Sequence, residues 1–167
     1  MKIFVTALMI ALIGPSGAFA GSLPMPDGDV ILTITGNIKN TNQADSADFD
    51  MAMLDAAPGR KAEMETPWTK GRTAFEGPFL RNLLDQVGAH GRTLRIKALN
   101  DYSSDVPIQD AMSLDTILAI RMNGEPMSVR EKGPIFMIYP FDLRPDIYNE
   151  KYFSRSVWQI REIEVVE

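Results

Sequence analysis

The stretch Thr93 to Asp110, TLRIKALNDYSSDVPIQD, decides how the chain folds. Leu94, Ile96 and Ala98 alternate with Arg95 and Lys97, the two-residue period of a strand with one buried and one wet face. NDYSSD (100–105) follows, a run of short polar side chains that suit a turning backbone. VPIQD (106–110) then reads as a second, shorter extended piece.

Moving toward the C-terminus, ILAIRM (117–122) has the composition of a helix, but Asn123-Gly124 is a strong hairpin signal, so the segment is read as partly extended. GPIFMIYP (133–140) is an unbroken apolar run between prolines, as in a buried strand. RPDIYNEKY (144–152) reads as loop or short helix. SVWQIREIEVV (156–166) closes the chain as a strand whose alternation slips near Arg161-Glu162, as at a bulge.

Moving toward the N-terminus, VILTITG (30–36) is a β-branched strand ended by glycine. Asp48 is placed to cap a short helix over FDMAMLDAA (49–57), with Phe49, Met53 and Leu54 on one face. RKAEMET (60–66) alternates like a half-buried strand. EGPFLRNLLDQVGAHG (76–91) sets Pro78 near a helix start, Leu80, Leu83, Leu84 and Val87 on one stripe, and Gly88 at the exit. Strands dominate, and no repeat or heptad pattern interrupts them.

Composition narrows the functional classes. With 17 Lys and Arg against 22 Asp and Glu, there is no basic excess for nucleic acid, which is excluded as a partner. The absence of Cys and the single histidine, His90, remove structural zinc, thioether-linked haem and iron–sulfur clusters. Lys2, the apolar run Ile3–Ile13, Gly14-Pro15 and Ala18-Phe19-Ala20 form the pattern of a secretory signal peptide over 1–20, too short to span a bilayer. Cleavage after Ala20 and a periplasmic or secreted location are expected. GSLPMPDGD (21–29) is then an extended leader, and residues 30–167 form one domain.

The candidate site residues each carry two readings. Trp68, in AEMETPWTKG (62–71), either stacks on a flat ring in a pocket or plugs the core at a strand end. Asn100, Asp101 and Tyr102 either line a cleft rim or make an ordinary turn. Lys132 and Arg155 can anchor a phosphate or carboxylate, Arg155 with the better geometry. Met64 reads as core or pocket wall, since a neutral thioether is a weak ligand. His90 belongs to a helix end. No nucleophile–base pair or carboxylate dyad argues for hydrolysis, so the catalytic residues are left unassigned and no metal ligand is named.

Trp68-Thr69 followed by FEGPFLRNLLDQVGA, then IKALNDYSSDVPIQDA, ILAIRMNGEPM and EKGPIFMIYPFD with SRSVWQIREIEV, occur in one order that resembles the oxidoreductase molybdopterin-binding domain of the sulfite-oxidase type, over residues 30–166. The resemblance implies an α+β, mostly β single domain with a few short helices, holding molybdopterin or a related pterin in a cleft, and a cysteine thiolate on the metal. This chain departs from it: Met64 stands at or next to the cysteine position, and Glu131-Lys132 stands where larger members carry His-Gly. The Asn123-Gly124-Glu125-Pro126 turn is kept, as is Arg155, which the resemblance sets near the cofactor's phosphate end. The cofactor-binding candidates are therefore Met64, Trp68, Asn100, Asp101, Tyr102, Lys132 and Arg155. The expectation is a binding module for a small planar anionic ligand, with a membrane sensor or redox protein as partner. The alternatives are a pterin-dependent oxidoreductase whose metal is held without a protein thiolate, and a periplasmic accessory to a membrane sensor.

Overall fold

The computed structural model describes residues 23–167, so the signal peptide expected over 1–20 lies outside the described residues. In chain order the strands are β1 (Val30–Gly36), β2 (Ala47–Asp50), β3 (Gly59–Glu65), β4 (Arg72–Pro78), β5 (Thr93–Ala98), β6 (Ser103–Pro107), β7 (Ile117–Ala119), β8 (Arg121–Met122), β9 (Glu125–Pro126), β10 (Phe136–Ile138) and β11 (Ile160–Val166). Four short helices intervene: α1 (Met51–Ala56), α2 (Leu80–Gln86), α3 (Ile108–Met112) and α4 (Glu150–Phe153). The architecture is α+β and mostly sheet.

Five strands form the main sheet in the order β2-β1-β11-β5-β6. Only β1 and β11 run parallel, and the other neighbours are antiparallel. The period-2 pattern works out directly: Leu32, Ile34, Leu94, Ile96, Ile163 and Val165 are at most 1% exposed. On the opposite face Lys97 lies 2.8 Å from Glu162 and 3.1 Å from Glu164. Arg95 lies 3.0 Å from Asp105. These pairs stitch three adjacent strands but stand in water and add little stability each. The slip expected near Arg161 is a register shift between Ile160 and Glu162 against β5.

A second sheet, β3-β4-β8-β9, and a two-stranded pair, β10-β7, complete the fold. All six residues of β7 and β10 are buried, as their unbroken apolar runs require. Asn123 and Gly124 take φ of 54° and 89° at the β8–β9 hairpin, the paired positive values of a type I′ turn.

Three sequence readings are corrected. The helix expected from 49 begins at Met51: Phe49 is inside β2, and Asp50, not Asp48, accepts the Met53 N–H at 2.9 Å. The apolar side chains of Ala47 and Phe49 serve the sheet, which outweighs the helical spacing of Phe49 and Met53. VPIQD is split, since the extended piece ends at Pro107 and Ile108 starts α3. The stretch around Pro78 hides a strand: Thr73, Phe75 and Gly77 point inward along β4, and the helix starts only at Leu80. Gly77 is required there, because a Cβ would collide with the backbone carbonyl oxygen of Leu118.

Candidate functional site

Trp68 follows β3 in a turn where the Thr66 and Thr69 hydroxyls are 2.8 Å apart. Its half-buried ring meets Phe136 at 5.3 Å and Phe153 at 5.8 Å, both edge-to-face. Its centroid is 6.4 Å from that of Trp158, with the planes at 63°. Two rings so disposed make a corner rather than a slot. A flat ligand can lie on one face while its edge meets the other ring.

Trp158 is 38% exposed although it precedes a buried strand. Gln159, at φ 55°, turns the chain there: its N–H donates to the Lys132 carbonyl at 3.0 Å and its carbonyl accepts from the Leu99 N–H at 2.9 Å. Lys132 (φ 75°) and Asp101 (φ 64°) share this left-handed conformation. Non-glycine residues avoid it at a cost of about 1–3 kcal/mol each, and such residues cluster at sites that hold something in place. Here they gather at the edge that presents Trp158. The Lys132 ammonium stands 4.8 Å over the Trp158 ring.

Between these groups lies a cavity of about 430 Å³ lined by Trp68, Asn100, Tyr102, Glu150, Ser154 and Trp158 among others. Asn100 and Tyr102 come from the β5–β6 turn, where the Asn100 Oδ1 accepts the Tyr102 N–H at 3.2 Å. That bond leaves the Asn100 amide N–H groups as donors. The cavity therefore combines indole faces with amide, phenol, hydroxyl and carboxylate groups.

The other candidates are placed differently. The Arg155 guanidinium donates to Asp110 Oδ2 at 2.8 Å, and the same oxygen accepts from the Tyr139 hydroxyl at 2.9 Å. Burial first, then the Asp110 charge, push the Tyr139 phenol pKa far up, so it stays a donor. Asp101 pairs with Arg161 at 3.0 Å on the surface. Met64 is 3% exposed on the inner face of β3, and borders a separate open groove with Glu65, Arg72, Phe141 and Asp142. Phe141 is 6.5 Å from Trp68, so groove and cleft adjoin across the aromatic cluster. His90 is exposed at the end of α2, with Nδ1 3.3 Å from the Gly88 carbonyl oxygen. Sequence reasoning missed Trp158, Glu150 and Ser154. The alternation around Trp158 points it inward, and no glycine or asparagine at 159 signals the left-handed turn that presents it.

The cofactor implied by the sequence resemblance makes two demands. A flat heterocycle finds stacking faces and hydrogen-bonding groups in the cleft. A metal held by the protein does not fit: the chain has no cysteine, Met64 offers a buried neutral thioether, and the described residues contain no group of three His, Cys, Asp or Glu able to hold an ion.

No curated protein matches the chain closely enough to serve as a relative. Among solved structures, the sulfane dehydrogenase SoxCD from Paracoccus pantotrophus is similar, with a TM-score of 0.59 and 19% identity over 87% of this chain. The match spans 40% of that protein's chain, and at this identity it shows the fold alone. The family model described as the oxidoreductase molybdopterin binding domain matches residues 30–167. With that match over nearly all the described residues, the chain belongs to the oxidoreductase molybdopterin-binding domain family.

Proposed function

We propose that this domain is a binding module that takes a planar, heteroaromatic, anionic ligand, molybdopterin or a related pterin, in the cleft at Trp68 and Trp158, without performing metal chemistry of its own. It acts outside the cytoplasm after loss of residues 1–20, as an accessory to a membrane sensor or redox protein. The observation that carries the reading is the aromatic corner beside Asn100 and Tyr102 in a chain with no thiolate. Lys132, over the Trp158 ring, supplies the positive charge for an anionic group.

Trp68 and Trp158 are the only tryptophans in the sequence, so tryptophan emission, excited where tyrosine does not absorb, reports on the cleft. Titration with 2-amino-4-oxopteridine should quench it saturably, and Trp68→Ala should weaken binding by roughly tenfold or less, the size of one stacking contact. No saturable quenching by this pterin would refute the pterin-binding reading. Family membership favours a second reading, an oxidoreductase whose metal is held only by the cofactor's own sulfurs. Elemental analysis of protein from a host that makes the cofactor separates the two: close to one molybdenum per chain selects the enzyme, and a metal-free protein that binds pterin selects the module.

A further inference from the structure

Glu150 lines the cleft, and its carboxylate forms no ion pair among the described residues. Lys151 places its ammonium 5.2 Å over the Tyr152 ring, Arg144 pairs with Asp146 at 2.7 Å, and Arg155 pairs with Asp110 at 2.8 Å. Asn149 caps α4 by accepting the Lys151 N–H at 3.1 Å, which fixes where Glu150 leaves the backbone. A carboxylate accepts hydrogen bonds and donates none. On an aromatic wall it favours a ligand that brings paired N–H groups to it and disfavours one that brings carbonyl oxygens. Asn100 supplies the complementary donor through its side-chain N–H groups, while its oxygen accepts the Tyr102 N–H.

We propose that Glu150 is the specificity residue of the cleft, selecting rings that present two adjacent N–H donors beside a carbonyl, the edge of a 2-amino-4-oxopyrimidine. The proposal rests on the cleft being a ring-binding site. It adds which edge of the ring is read and by which residue. A 2,4-dioxo ring has the same shape and stacking surface but replaces the amino donor with a carbonyl, which meets the carboxylate lone pair to lone pair.

The test titrates the protein with 2-amino-4-oxopteridine and with 2,4-dioxopteridine, following tryptophan emission, at a pH where both rings are neutral. The wild type should bind the amino compound about tenfold or more tightly, the discrimination expected of one charge-assisted hydrogen bond. Glu150→Gln should bring the two affinities close together, weakening the amino compound and not the dioxo compound, whose carbonyl then meets an amide N–H donor in place of a lone pair. Glu150 is exposed at a helix start, so the variant should keep its thermal midpoint. Equal affinities in the wild type, or an equal loss for both rings in Glu150→Gln, would overturn the proposal while leaving the cleft reading intact. Binding of neither ring would overturn both.

Discussion

Asp50 joins the leader to the domain with two oxygens. Oδ2 accepts the Asp27 and Gly28 N–H groups, each at 2.8 Å, and Oδ1 accepts the Met53 N–H at the start of α1. The Met53 bond first, and the Gly28 bond next, hold its pKa below the usual carboxylate value. A depressed folded pKa contributes stability above the unfolded value, near pH 4, and that contribution is lost as pH falls through the folded value. Wild type should therefore exceed Asp50→Asn in urea midpoint at neutral pH, and the gap should shrink on acidification below about pH 4. A gap independent of pH would show that the carboxylate charge has no part in the tether. Asp50 also marks what the sequence leaves open at this scale. Asp48 and Asp50 are equally good capping residues, and only the sheet's claim on Phe49 decides between them.

Tyr139, one residue beyond β10, Asp110 in α3 and Arg155 between α4 and β11 meet at a single carboxylate oxygen. The contact ties α3 to β10 and to the segment carrying Ser154 and Trp158, two stretches that the Phe136–Trp158 bridge already pairs with each other. Tyr139→Phe keeps the ring packing and removes one hydrogen bond to a charged group, so it should lower unfolding free energy by about 1–3 kcal/mol. Chemical denaturation measures this, and an unchanged midpoint would mean that Arg155 alone satisfies Asp110. Elements with a strict period are legible in the sequence: β1, β3, β5, β11 and the buried runs of β7 and β10 were all expected. β4 and α3 were not. β4 lies in TKGRTAFEGP, where two glycines and a proline read as turn, although Gly77 is there for contact with β7. α3 follows a proline that serves equally as a strand end and a helix cap.

For the whole molecule, the order of the motifs carries more than any one of them, since the match extends over 30–167 while each segment alone is common. The placing of Asn100 and Tyr102 in one cleft with Trp68 is readable only through that joint order, because no local pattern links residue 68 to residue 100. Glu150 lies outside those motifs, and Trp158 stands inside the last of them without any sign that its ring faces the cleft. The main sheet makes one further prediction. β11 lies between β1 and β5, so a chain ending at residue 159 loses the middle of the sheet rather than an edge. That truncation should show no cooperative thermal transition by circular dichroism, whereas removal of Glu167 alone should leave the midpoint within a few degrees, consistent with loss of one exposed residue. A cooperative transition in the shorter chain would mean that β1 and β5 can close without β11.

The same placement sets a schedule for biogenesis. β1 is made first and its inner neighbour last, so the strands between them emerge from the ribosome facing a gap that only residues 160–166 can fill. Pairing across so long a separation costs loop-closure entropy before any contact rewards it, which slows folding. The nascent domain thus stays open until residues 160–166 have been made. For a polypeptide proposed to leave the cytoplasm, that delay keeps it threadable until the translocation machinery has taken hold of it.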